Sequence, residues 1–332
     1  MRGGAPTLPS WSLDEVQRVG LATGLTALAG ALGLFDEADA EVGEYVREQR
    51  AEVAARVERF RTAGPQVVEL LAAAELMAVP VKGAVLAGVL GDVPVWPRPD
   101  TRPMSDLDLL VPTRHRAQAG AVLTRGGWQL HASSAHEDTF LVWGDGSVGR
   151  TDGESAAHNG RVEVHPGWTE FLHGYTAEGF DLERRAHRRA DGTWRLDDAA
   201  FVTHVIGHLA STVVRAEVRA VNVLDVWFLS ERGIDWQAVD RCLHDIAPQL
   251  TAPGLWAADR FLPGVVPPTL LQRELARLGK GGDLLGSTSE AAVLRDPSQR
   301  TTAGWRTAFA RTTSQRAAVA RQLAHGAWGR VR

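Results

Sequence analysis

Between Ser105 and Pro112 the chain reads Asp106-Leu107-Asp108-Leu109-Leu110-Val111, and few segments constrain a fold as tightly. In an extended strand alternate side chains share a face. Asp106 and Asp108 therefore point one way, and Leu107, Leu109 and Val111 the other. One face is suited to a core. The other carries two carboxylates that a dry interior cannot hold without a counter-charge. A second segment repeats the pattern: in Arg161-Val162-Glu163-Val164-His165, Glu163 and His165 share one face and Val162 and Val164 the opposite one. Set side by side, the two strands would bring Asp106, Asp108 and Glu163 together. Clustered carboxylates raise one another's pKa, and a divalent cation removes that repulsion. Magnesium takes hard oxygen ligands and keeps waters and substrate phosphates in its shell, and paired ions of this kind serve phosphoryl transfer. An Asp-x-Asp pair alone is weakly specific, because aspartates commonly sit at strand ends.

The surroundings of these strands suggest three kinds of structure in order. Ser12 and Glu15 have capping-box spacing, predicting a helix that runs to about Leu34. Residues 37–62 are helix-prone and charged, and a further helix is expected after Pro65. Ala78-Val79-Pro80-Val81 is short and β-like, Lys82-Gly83 opens a short helix, and four prolines in 92–103 make an irregular loop. After the Asp-x-Asp strand, Thr113 can cap a helix that Gly126-Gly127 ends at Arg125. Residues 128–132, 139–144 and 161–165 read as strands, with a polar, glycine-rich loop over 144–160. Segments 201–214, 221–232 and 236–246 read as helices, and 280–300 as a linker. The expected class is α+β: a small mixed sheet in a core over 79–196, an N-terminal helical region over 1–78, a helical region over 197–279 packing on the core, and a linker with a basic C-terminal helix over 280–332.

Bulk properties exclude several classes. The 332 residues carry a net charge of −4, so charge alone does not make the whole chain a polyanion binder. The single cysteine, Cys242, permits no intramolecular disulfide and no cysteine-rich zinc site, and its helical setting marks it as a core thiol. The first residues lack the apolar stretch of a signal peptide. The most apolar segment, 21–35, is too short to span a bilayer, so a cytoplasmic protein is expected. His204 and His208 stand four apart on a helix, a zinc-capable spacing, but no partner glutamate or third ligand accompanies them; two packed helix histidines are the simpler reading. From Arg300 onward there are seven arginines and no acid. That segment is the candidate surface for nucleic acid or an acidic membrane. Its inner arginines recur every five residues, which spreads them around a helix and favours a solvated terminal helix.

Val-Pro-Val-Lys-Gly-Ala-Val-Leu-Ala-Gly-Val-Leu-Gly-Asp at 79–92, Arg-Pro-Met-Ser-Asp-Leu-Asp-Leu-Leu-Val-Pro at 102–112 and Val-Glu-Val-His-Pro-Gly-Trp at 162–168 together resemble the uncharacterised nucleotidyltransferase family, within the DNA polymerase beta-like nucleotidyltransferase superfamily. A helix downstream in that family resembles residues 208–229 here, where His208, Arg219 and Asp225 fall on its His, Arg and Asp positions. The resemblance spans about 79–231. It implies that Asp106 and Asp108 hold Mg2+, with Mn2+ as a substitute, and that Glu163 is the third carboxylate, acting as base or orienting the metal. It puts Lys82, Gly83, Arg102 and Ser105 on the nucleotide side, with backbone at Gly83 approaching the triphosphate and Arg102 touching phosphate oxygens. His165, His208, Arg219 and Asp225 become substrate-side candidates, although an Arg–Asp pair tying the helical region to the core is an equal reading of the last two. The implied activity is transfer of a nucleoside monophosphate from an NTP, ATP among them, to an acceptor that the sequence does not name. Natural-product or peptide tailoring is one setting for it. A non-catalytic nucleotide-binding or regulatory protein and a toxin-like enzyme acting on tRNA are the alternatives. The phosphate turn departs from the superfamily: Lys82-Gly83-Ala84 stands where Gly-Ser or Gly-Gly is usual.

Overall fold

In the computed structural model, residues 11–90, 93–134, 137–141, 160–168, 181–215, 218–245 and 252–287 are described. Three helices lead. Ser12 and Glu15 close the expected capping box on α1 (Leu13–Thr23). That helix stops eleven residues short of Leu34, because Gly24 adopts a left-handed conformation (φ 71°) and returns its N–H to Gly20. A short α2 (Thr26–Ala31) follows. Then α3 (Ala40–Ala73) runs unbroken for 34 residues, about 50 Å at 1.5 Å per residue. Pro65 was expected to begin a new helix and instead lies inside this one. A proline there costs about 3 kcal/mol. The cost is offset by packing on both sides of it, since Val57, Phe60, Val67, Val68 and Leu71 are all buried.

The sheet has five strands in the order β1-β2-β5-β4-β3: β1 (Val79–Pro80), β2 (Leu107–Val111), β3 (Gln129–Ser133), β4 (Asp138–Leu141) and β5 (Arg161–Pro166). Only β2 and β5 run parallel; the other neighbours are antiparallel. The one-turn α4 (Gly83–Leu86) follows β1, and α5 (Arg116–Arg125) follows β2. Thr113 opens a 3-10 turn, Thr113–His115, and α5 starts one residue after that turn rather than at a threonine cap. Of the expected strand at 139–144 and loop at 144–160, residues 142–159 lie outside the described part.

Alternation sorts the two faces of the sheet as the sequence implies. Leu107, Leu109, Val111, Val162, Val164 and Phe140 join α3 and α5 in one apolar core. The other face turns Leu110, Val79 and Val81 into a second, larger core with the C-terminal helices. Those helices are α7 (Asp198–Arg215), α8 (Ala220–Glu231), α9 (Trp236–Asp245), α10 (Ala252–Phe261), α11 (Pro268–Leu278) and α12 (Lys280–Gly286). Between sheet and helices lie α6 (Leu182–Arg185) and an unexpected hairpin, β6 (Ala186–Arg188) with β7 (Trp194–Leu196). The linker expected from residue 280 thus opens with a helix, and the basic segment from Arg300 lies outside the described residues. Cys242 is buried, as expected of a core thiol. Among the described residues no helix is long and apolar enough to cross a membrane.

One buried ion pair ties the proline-rich loop to the second core. Arg102 grips Asp225 of α8 with two nearly parallel bonds, Nε to Oδ1 at 3.0 Å and Nη2 to Oδ2 at 2.8 Å. Trp96 Nε1 donates to the same Oδ1 at 2.7 Å, and its ring meets Phe228 edge-on. The Arg–Asp pair that joins the helices to the core is therefore Arg102–Asp225, not Arg219–Asp225. Breaking such a pair strands a buried charge and typically costs about 3–5 kcal/mol, whereas an apolar replacement of both partners costs less. Asp225→Ala is expected to lose about that much stability by urea unfolding, and the double variant Arg102→Met/Asp225→Leu clearly less than the sum of its single changes.

Candidate active site

The site grows from strand register. Parallel pairing sets Asp108 opposite Glu163 and Leu110 opposite His165. Because β2 and β5 are adjacent, Asp108, Glu163 and His165 reach toward one another, each at most 5 % exposed. One ligand atom from each lies within 4.8 Å of the other two, so the trio can hold a metal ion. Asp106, just before β2, is half-buried and takes a hydrogen bond from Ser105 Oγ at 2.9 Å.

Lys82 supplies a cation of the protein's own. The Val81 N–H bonds the Asp108 carbonyl at 3.1 Å, which fixes where β1 leaves the sheet. The chain then turns at Lys82 with φ 49° and ψ −124°, a conformation that suits glycine better than lysine. Holding a non-glycine residue there costs about 1–3 kcal/mol. The turn lays Lys82 Nζ 3.0 Å from Asp108 Oδ1. His165 Nε2 lies 3.0 Å from that same oxygen and 3.6 Å from Glu163 Oε2. Arg161 forms an ion pair with Glu163 and stands 3.8 Å from Glu137.

These neighbours push the carboxylates apart electrically. Burial would raise the Asp108 pKa, but the Lys82 ammonium and His165 outweigh it and hold this group well below the usual carboxylate range. Burial, reinforced by Asp108, raises Asp106. Glu163 is pushed up to about 8, chiefly by burial and then by the charges of Asp106 and Asp108. One carboxylate is thus firmly ionised and another holds its proton near neutrality. On α7, His204 is buried beneath the Trp168 ring, 4.8 Å between centroids, and burial, with Lys82 and His208 adding to it, keeps its pKa well below normal.

A cleft of about 370 Å3 opens at this centre, lined by Lys82, Gly83, Arg102, Ser105, Asp106, Asp108, His208 and Arg219 among others. It gathers all four nucleotide-side candidates with both aspartates, and two of the four substrate-side ones. Glu163 and His165 sit behind Asp108 on β5. Arg102 reaches the cleft, yet two of its donors are engaged by Asp225, and its Nη1 lies so close to Gly83 that a Cβ there would come within 2.6 Å. Asp225 itself is buried under Trp96 and Arg102. Sequence reasoning passed over Arg161, Glu137, Thr212 and Asn222. Arg161 carries a readable signal, since it lies two positions before Glu163 on one strand and so shares its face. The others arrive from elements whose placement is long-range.

The mixed sheet thus carries a buried carboxylate–imidazole cluster that could hold a metal ion, beside a cleft lined by both cations and carboxylates. The family model described as uncharacterised nucleotidyltransferase matches residues 10–253, and the chain belongs to that family. The match extends well beyond 79–231, taking in the leading helices and α9. No curated protein and no solved structure matches the chain.

The raised Glu163 pKa has a measurable cost. Between about 4.5, its ordinary value, and about 8, the folded protein keeps a proton that the unfolded chain gives up. Stability of the metal-free protein should therefore fall with rising pH across that window, by about 1.4 kcal/mol per pH unit for this one proton. Glu163→Gln is expected to flatten the slope by that amount in denaturant titrations at pH 5, 6, 7 and 8.

Proposed function

We propose that the protein transfers a nucleoside monophosphate from an NTP to a hydroxyl-type acceptor and releases pyrophosphate, acting in the cytoplasm. The observation that carries this reading is the opposition of Asp108 and Glu163 across β2 and β5, beside a cleft lined by Lys82, Arg102 and Arg219. Asp106, Asp108 and Glu163 would hold the divalent cation, for which Mg2+ is the family's expectation. When bound, the ion supplies Lewis acidity at the α-phosphate and neutralises the charge left on pyrophosphate.

The chain's own groups do the rest. Lys82, three ångströms from Asp108, is placed to move onto a phosphate oxygen once another cation takes over its carboxylate. Arg102, clamped on Asp225, keeps its Nη1 side toward Gly83 at the cleft, and Ser105 adds a hydroxyl beside Asp106. Gly83 lets backbone and guanidinium approach closely. The acceptor oxygen bonds to the α-phosphorus as the bond from that phosphorus to the bridging oxygen breaks. The acceptor proton passes to a carboxylate; Glu163, once ionised beside the bound cation, is the candidate for that base or for the group that orients the metal. His208 and Arg219, on the far wall, are the candidates for meeting the acceptor, with His165 and Asp225 supporting from behind. A natural-product or peptide acceptor is compatible with this cleft.

A second reading has its own observation. The Lys82–Asp108 ion pair neutralises the key carboxylate internally, and the turn lacks the serine usual in the superfamily. Both suit a protein that binds a nucleotide without turning it over.

Incubation with each of the four α-labelled NTPs, Mg2+ or Mn2+ and a cell extract separates the two readings. Catalysis predicts a labelled acceptor and stoichiometric pyrophosphate. Asp106→Ala and Asp108→Ala should each lower the rate by roughly 10²-fold or more, as loss of several kcal/mol of ion-borne stabilisation requires. Saturable nucleotide binding with no label transferred under any NTP would remove the transferase reading and leave the second.

A further inference from the structure

His165 is chemically unlike the groups around it. It shares a strand face with Glu163, is 2 % exposed, and directs Nε2 at two carboxylates, 3.0 Å from Asp108 Oδ1 and 3.6 Å from Glu163 Oε2. Ligand atoms lie about 2.0–2.2 Å from a small divalent ion, which sets adjacent ligands about 3.0–3.6 Å apart. Both measured separations fall at that spacing, and the third, like them, is within 4.8 Å. Asp106, whose charge is felt by Glu163, is not one of the three groups whose ligand atoms meet this spacing. The far ring nitrogen, Nδ1, is buried without a hydrogen-bond partner among the described residues, the Glu137 carboxylate lying 3.9 Å away, beyond bonding distance. Lys82 Nζ, on the same Asp108 oxygen, marks a point where a positive charge is already favoured.

We propose that Asp108, Glu163 and His165 form a mixed nitrogen–oxygen metal centre that prefers a first-row transition ion to Mg2+. Magnesium takes oxygen ligands and gives up water reluctantly. An imidazole nitrogen adds little to its binding and much to that of the borderline ions, whose affinity for such sites rises from Mn2+ onward. The ligand set therefore discriminates by chemistry, and Asp106 stays available at the cleft for an ion carried in with the nucleotide. The inference rests on the reading of this cluster as a metal centre but is separable from the transferase activity.

Mn2+ bound to the metal-free full-length chain is the probe. Pulsed electron paramagnetic resonance is expected to show 14N coupling from a coordinated imidazole. The coupling should vanish in His165→Asn and also in wild-type protein grown with 15N-histidine, which leaves the fold untouched. His165→Asn should weaken Mn2+ binding by about 10- to 100-fold, a range like that for ligand-supporting groups, and change Mg2+ binding only slightly. Mn2+ held tightly, released by Asp108→Asn, yet free of 14N coupling would overturn the nitrogen ligand while an all-oxygen transferase centre stands. Mn2+ and Mg2+ competing equally in the wild type would overturn the preference. A wild type that binds neither ion would end this proposal and the metal-dependent transferase together.

Discussion

Two carboxylates facing each other across paired strands, away from water, are the constraint on which the structure turns. Asp108 and Glu163 cannot both ionise freely in that position. The protein answers with a tethered ammonium on one and a retained proton on the other. Lys82 can reach Asp108 only through a turn that lysine adopts at a cost, and Glu163 is partly steadied by Arg161. Each accommodation weakens the folded state relative to a sheet carrying leucines at these positions. That these costs gather at one end of one sheet face marks that end as the candidate site.

The two faces of the sheet divide the work. On one, Leu107, Leu109, Val111, Val162 and Val164 lock into α3 and α5 and give the strands a rigid backing. On the other, the apolar positions Val79, Val81 and Leu110 bury against α7 and its neighbours, while the polar positions turn toward the cleft. Rigid strands, not mobile loops, thus set the separation of the metal-capable groups. The far wall comes from α7 and α8, where His208, Thr212, Arg219 and Asn222 line the same space. Arg102, held by Asp225, fixes how these two walls meet.

Much of this was legible because a strand's period of two is a local rule. The pattern Asp-Leu-Asp-Leu-Leu-Val fixes faces without knowledge of the rest of the chain, and the same holds for Arg-Val-Glu-Val-His. Adjacency of the two strands was a conditional inference, and their register confirms it. Other features depend on contacts that no local rule contains. Pro65 reads as a helix start, yet packing on both sides carries α3 through it. Arg102 reads as a phosphate-side residue, but nothing local announces that α8 brings Asp225 to two of its donors. The β6–β7 hairpin is not legible locally because its strands are three residues each, too short to establish a period of two. Lys82 stands out in the sequence by its place beside Gly83, but its partner is set by a backbone torsion.

The clamp between the proline loop and α8 also has a kinetic meaning. Arg102 and Trp96 meet Asp225 across 123 and 129 residues of chain. Closing so long a loop is slow compared with forming a helix or hairpin. At ordinary rates of synthesis, roughly 5–20 residues per second, Asp225 follows Arg102 from the ribosome after roughly 6–25 seconds. During that interval the sheet's first two strands can pair, but the wall of the cleft that Arg102 fixes has no anchor. The cleft is therefore a late product of folding, completed only when the second half of the family domain has been made.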